Sequence, residues 1–148
     1  MSTFTQLYIH IVFGTLKKQK LLHGENRTRI YKYMSGIIKN LEHKPIIING
    51  TADHVHILVG LKPDRTISDL VKEVKRSATN FINENKLCRL KFAWQGGYGA
   101  FSYSRSQLDR LILYIKNQEK HHQKKSFREE YVELLEKFGI EYDPKWLD

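Results

Sequence analysis

Apolar residues change their spacing along this chain in one order, and that order constrains its fold more than any other feature. Leu7, Ile9, Ile11 and Phe13 alternate with Tyr8, His10 and Val12, the two-residue period of a strand. After a polar stretch from Lys17 to Glu25, the residues Ile30, Tyr33, Met34, Ile37, Ile38 and Leu41 follow a helical period. A strand is predicted at Pro45 to Asn49, and a short turn at Gly50 to Asp53 leads into a second strand, His54 to Val59. The next helix is capped at Thr66, has Asp69 three residues on, and buries Ile67, Leu70, Val71, Val74, Ala78, Phe81 and Ile82. Apolar segments near Leu90 to Trp94 and Phe101 to Tyr103 fit one or two further strands. The order β-α-β-β-α-β predicts a ferredoxin-like α+β domain with additional C-terminal helices. One of these is expected over about residues 106–122. The other, over about 127–138, is capped by Ser126 and Glu129 and ended by Gly139. No repeat or linker divides the chain, so residues 1–148 are read as a single domain.

Two positions on this framework carry chemistry. In His54-Val55-His56 the imidazoles share one strand face, with Cα atoms roughly 7 Å apart, and can converge on one divalent cation. Val55, Ile57 and Val59 then bury the other face. Further along, Leu108, Leu111, Ile112 and Ile115 form the buried stripe of a helix, and Tyr114 and Gln118 project together one turn apart. A tyrosine oxygen can attack phosphorus, and an amide oxygen can complete a metal site begun by two histidines. Residues of this kind also flank buried stripes with no chemical role. His121 and His122 are adjacent on a helix and diverge by about 100°, so both cannot easily serve one metal.

Charge points to the partner. The 25 basic and 16 acidic side chains leave a formal charge of +9, which suits a polyanion, nucleic acid above all. Lys72, Lys75 and Arg76, on the outward face of the second long helix, are the candidate phosphate contacts. A single cysteine, Cys88, excludes an intrachain disulfide and a multi-cysteine zinc site. The first residues read as a strand rather than a leader, and no run approaches the roughly twenty apolar residues of a membrane span. A cytoplasmic location is expected, with no membrane partner. Gly96, Gly97 and Gly99 around Tyr98 make a flexible turn and not a Walker loop. Trp94 and Tyr98 can stack on bases or pack in the core, the commoner fate of such rings.

The His54-Val55-His56 triplet resembles the histidine-hydrophobe-histidine motif of HUH endonucleases. The segment Trp94 to Ser102, followed by Tyr114-Ile115-Lys116-Asn117-Gln118 and His121-His122, resembles their single-tyrosine branch, the transposases of insertion sequences of the 200/605 type. The likeness covers roughly residues 4–125. It implies His54, His56 and Gln118 as ligands of Mg²⁺ or Mn²⁺ and Tyr114 as the nucleophile. It further implies cleavage and rejoining of single-stranded DNA through a 5′-phosphotyrosine, on element ends that contain hairpins. A homodimer is implied too, often with one subunit's tyrosine helix completing the other's site. Alternatives are a non-catalytic single-stranded nucleic-acid-binding module and a domesticated or replication-type HUH endonuclease.

Overall fold

The computed structural model describes residues 1–147; residue 148, the last of the expected 1–148 span, lies outside them. In chain order the elements are β1 (Tyr8–Gly14), α1 (Gly24–Asn40), β2 (Lys44–Gly50), β3 (His54–Gly60), α2 (Ile67–Glu84), β4 (Gly99–Tyr103), α3 (Leu108–Lys116), α4 (Gln118–His121) and α5 (Phe127–Lys137). The strands form one antiparallel sheet in the order β2-β3-β1-β4, the ferredoxin-like arrangement expected from the spacing. Among the described residues, no helix is long and apolar enough to cross a membrane.

Both sheet faces are covered. Ile9, Ile11 and Phe13 of β1 and Val55, Ile57 and Val59 of β3 pack with Ile30, Met34 and Ile38 of α1 and with Leu70, Val74 and Ile82 of α2. On the other face, Leu58 meets Leu111 and Ile115 of α3, while Val12 and Phe101 meet Phe127, Leu134 and Leu135 of α5. Strand alternation therefore sends His10, His54 and His56 beneath the C-terminal helices, and all three are buried.

The β2–β3 turn permits this placement. A Cβ on Gly50 would lie 2.1 Å from the His54 carbonyl oxygen, so only glycine lets the hairpin close that tightly before the first histidine. Thr66 caps α2 as expected, its side chain accepting from the Asp69 N–H at 3.0 Å. Ser126 and Glu129 form the reciprocal capping box of α5.

Two expectations are corrected. The segment near Leu90 to Trp94 is not a strand; it touches the sheet through one bridge, Thr15 to Trp94, because Phe92 and Trp94 turn inward to pack edge-on, and Trp94 also meets Phe13 edge-on. The helix expected over 106–122 breaks at Asn117 into α3 and α4. Asn49 of β2 donates its side-chain amide to the carbonyls of Ile115 and Lys116 at 2.9 and 3.2 Å, satisfying the end of α3 as a cap would.

Candidate active site

Each functional side chain is delivered by a different device. Antiparallel register sets Val12 opposite His56 and Gly14 opposite His54, so two strands share the floor of the site. His54 and His56 face α3 to α5, their rings meeting edge to face with centroids 5.1 Å apart. The His54 Nε2 lies 2.8 Å from Gln118 Oε1, which brings the amide oxygen to the first histidine. Tyr114 lies one turn before Gln118, and its ring meets His56 edge to face at 5.9 Å. The structure thus places His54, His56, Tyr114 and Gln118 in one buried cluster, all supplied by a single chain.

At the centre sits a residue outside every sequence motif. Glu130, in the first turn of α5, is 2% exposed. Its Oε1 accepts from His56 Nε2 at 3.0 Å and His122 Nε2 at 2.9 Å, with His54 Nε2 at 3.3 Å. Its Oε2 accepts from Gln118 Nε2 at 2.8 Å and from the Tyr114 hydroxyl. One signal for it existed: Glu130 falls at a stripe position between Phe127 and Leu134, where a charge is out of place unless it is partnered. His122, but not His121, joins this group, and His54, His122 and Glu130 form a set of donors able to hold a metal ion.

Further side chains orient the histidines. Asp53 Oδ1 lies 2.7 Å from His54 Nδ1, and Thr51 donates to the same carboxylate oxygen at 3.0 Å. A carboxylate on the far nitrogen fixes a histidine's orientation and leaves its other nitrogen for a ligand. His10 of β1 plays the matching part for His56, with Nε2 2.7 Å from His56 Nδ1 and rings stacked at 5.0 Å. The part of His10 is not legible in sequence, because the contact between His10 and His56 exists only once β1 pairs with β3.

Electrostatics follow from this packing. Burial works against a charge on His54, yet its bonds to Asp53 and Glu130 push it up to about 9. Burial holds His56 and His10 below the usual histidine value. Glu130 would be raised by burial, but the His122, His54 and His56 donors hold it well below the carboxylate range. Burial and the adjacent Glu130 charge raise Tyr114 above the ordinary tyrosine value, so the phenol keeps its proton.

The converging nitrogens fit a divalent cation. Three imidazole Nε2 atoms converge on one carboxylate oxygen of Glu130 in a buried space, and the Gln118 amide oxygen lies against the His54 nitrogen, a donor set able to hold a divalent metal ion.

The basic trio on α2 is elsewhere. The helix packs on the opposite sheet face, so Lys72, Lys75 and Arg76 do not join the cluster. Arg76 pairs with Glu73 at 2.7 Å. Lys75 donates to the carbonyls of Gln95 and Gly97 at 2.8 and 2.6 Å, and partial burial lowers it to about 8. It clamps the glycine loop. Lys75→Gln should lower stability by about 1–2 kcal/mol, discounted for its exposed part, or roughly 3–6 °C in Tm. Lys72→Gln with Arg76→Gln should leave Tm within about 2 °C. Calorimetry of the two variants checks this, and equal melting temperatures would remove the clamp.

Comparisons with known proteins agree with this architecture. The profile of the family described as Transposase IS200 like matches residues 3–118. No curated protein sequence matches the chain. A Deinococcus radiodurans R1 protein, described only as a candidate transposase, superposes with a TM-score of 0.64 at 19% identity, over 80% of this chain and 95% of that one. A REP-associated tyrosine transposase bound to a REP hairpin superposes with a TM-score of 0.63 at 14% identity, over 82% of this chain and 74% of that one. At such identities the two structures speak for the fold alone, whereas the profile spans most of the chain. The chain therefore belongs to the IS200-like transposase family and is a DNA transposase.

Proposed function

We propose that this transposase cleaves and rejoins single-stranded DNA through a 5′-phosphotyrosine on Tyr114, using a Mg²⁺ or Mn²⁺ ion held by His54, His56 and Gln118. The observation that carries the reading is the meeting of the Tyr114 hydroxyl, the Gln118 amide and the HUH histidines on the single carboxylate of Glu130. When bound, the cation polarises the phosphoryl group and orients it for in-line attack. His122 is a further candidate ligand.

The protein's own groups do the remainder. Tyr114 is half-buried and lines a cleft of about 310 Å³ with Arg110 and Lys137, cations suited to steering a phosphodiester toward the phenol. In the step itself the Tyr114 oxygen forms the new bond to phosphorus and the bond from phosphorus to the 3′-oxygen breaks. The phenolic proton passes to Glu130, and the departing 3′-oxygen takes a proton from water, which the proton released by Glu130 restores. Glu130 is a poor base while imidazole N–H groups donate to it. The same Nε2 atoms cannot both donate to Glu130 and offer a lone pair to a cation, so histidines that held the cation would no longer donate to Glu130, and the carboxylate would be the better acceptor for the phenolic proton. Because the intermediate is itself a phosphodiester, a second 3′-hydroxyl can reverse the attack and join new ends without ATP.

Element ends containing hairpins are the proposed substrates, and the structural likeness to a transposase bound to a REP hairpin supports this. Exchange between two ends calls for a homodimer, working in the cytoplasm beside the DNA. The direct test is incubation with flanking single strands and Mn²⁺, followed by denaturing electrophoresis for a covalent protein–DNA adduct. His54→Ala, His56→Ala and Gln118→Ala should each lower Mn²⁺ affinity by about tenfold or more while changing DNA affinity less than about threefold. Titration calorimetry and a DNA-binding assay read the two separately. Undiminished Mn²⁺ binding in all three variants would overturn the site.

A further inference from the structure

Beside the catalytic cluster runs a cleft of about 670 Å³, within the roughly 300–1,000 Å³ of small-molecule sites, for which the proposed chemistry has no use. Its walls are aromatic: Tyr98 from the glycine loop, Phe127 and Tyr131 from α5, and Tyr142 and Trp146 from the C-terminal segment. Rings of this kind belong in a core, yet Trp146 is 73% exposed and Tyr98 38%. Lys75 pins the backbone of the loop that presents Tyr98 through the carbonyls of Gln95 and Gly97.

The cleft has a cationic continuation. A second cleft of about 600 Å³ shares Lys18 and Phe127 with the first and is also lined by Lys20, Arg27, Lys125 and Arg128, with Asp53 and Glu119 beside them; Arg27 pairs with Glu119 and Lys125 with Glu133. Phe127, at the junction, stacks on His54 with centroids 4.2 Å apart and planes 9° from parallel. Aromatic rings next to a cationic track, both reaching the catalytic cluster, match how single strands are bound: bases stack while phosphates follow the charge. Glu141 and Asp143 also line the aromatic cleft. Their charge repels phosphate there but suits a base edge bearing an amino donor.

We propose that the aromatic cleft receives one or two unpaired bases of the DNA strand whose phosphates lie along the adjoining cationic cleft, favouring bases with an amino group over thymine. This rests on the single-stranded DNA reading above and adds a subsite to it.

The test uses the full chain with fluorescein-labelled twelve-residue oligodeoxynucleotides of deoxycytidine or thymidine. Tyr98→Ala and Trp146→Ala should each weaken binding of the deoxycytidine strand about 5- to 100-fold, with Tm unchanged for Trp146→Ala because that ring is largely exposed. Trp146→Phe should retain most affinity. Saturating DNA should shield Trp146 from acrylamide, with Trp146→Phe supplying the Trp94 background. The thymidine strand should bind more weakly, and Glu141→Gln should narrow the difference. Wild-type affinity in both alanine variants, with Trp146 equally accessible in the complex, would overturn the subsite and leave the transposase chemistry standing. Failure of the chain to bind or attach to any single strand would instead take down the parent reading. Shielding of Trp146 by rising protein concentration without DNA would show a second copy covering the cleft and would also overturn the proposal.

Discussion

Tyr114→Phe is expected to abolish the covalent adduct, a loss of at least about a thousandfold, while DNA affinity stays within about twofold of wild type. Only one oxygen is removed, and the ring, half-buried against His56 and His121, keeps its packing. An adduct formed by this variant at the wild-type rate would eliminate Tyr114 as the nucleophile. Within one chain Tyr114 reaches its own histidines through Glu130. Mixing Tyr114→Phe with His56→Ala protein should therefore restore no cleavage, even in verified heterodimers. Recovery would mean that subunits exchange their tyrosine helices.

Glu130→Gln is expected to cost the metal-free protein about 3–5 kcal/mol, the usual result of stranding a buried charge. Glu130 is nearly fully buried and neutralises His54 while satisfying four further donors. His54 has a folded pKa of about 9, above its ordinary 6.5, so its pairing stabilises in full below about 6.5 and is lost as pH rises through 9. Glu130 is depressed, so its contribution is present above its ordinary 4.5 and is lost as pH falls below that. The deficit of the variant should thus be greatest near pH 5–6 and shrink toward pH 9 and above. Urea unfolding of both proteins with chelator present, across that range, measures it. A deficit below 1 kcal/mol at pH 6 would show that Glu130 does not hold the cluster together.

Periodicity and spacing determined most of the frame by themselves. The alternation in β1 and β3, the stripes of α1 and α2 and the Thr66 and Ser126 caps are local properties of a chain, and each reappears in the fold. His54-Val55-His56 and the spacing of Tyr114 to Gln118 were legible for the same reason, since a strand or helix fixes which neighbours share a face. The break at Asn117 was not, because the amide that satisfies the end of α3 comes from Asn49 on another strand. Lys75 read as an outward phosphate contact, and only the folded chain brings the carbonyls of Gln95 and Gly97 to its ammonium group. His10, His122 and Glu130 were decided by tertiary structure alone. Each acts through a partner that comes from another element. Local sequence sets the direction in which a side chain points, but the partner that gives a buried charge its purpose arrives from elsewhere in the chain, and only packing brings the two together.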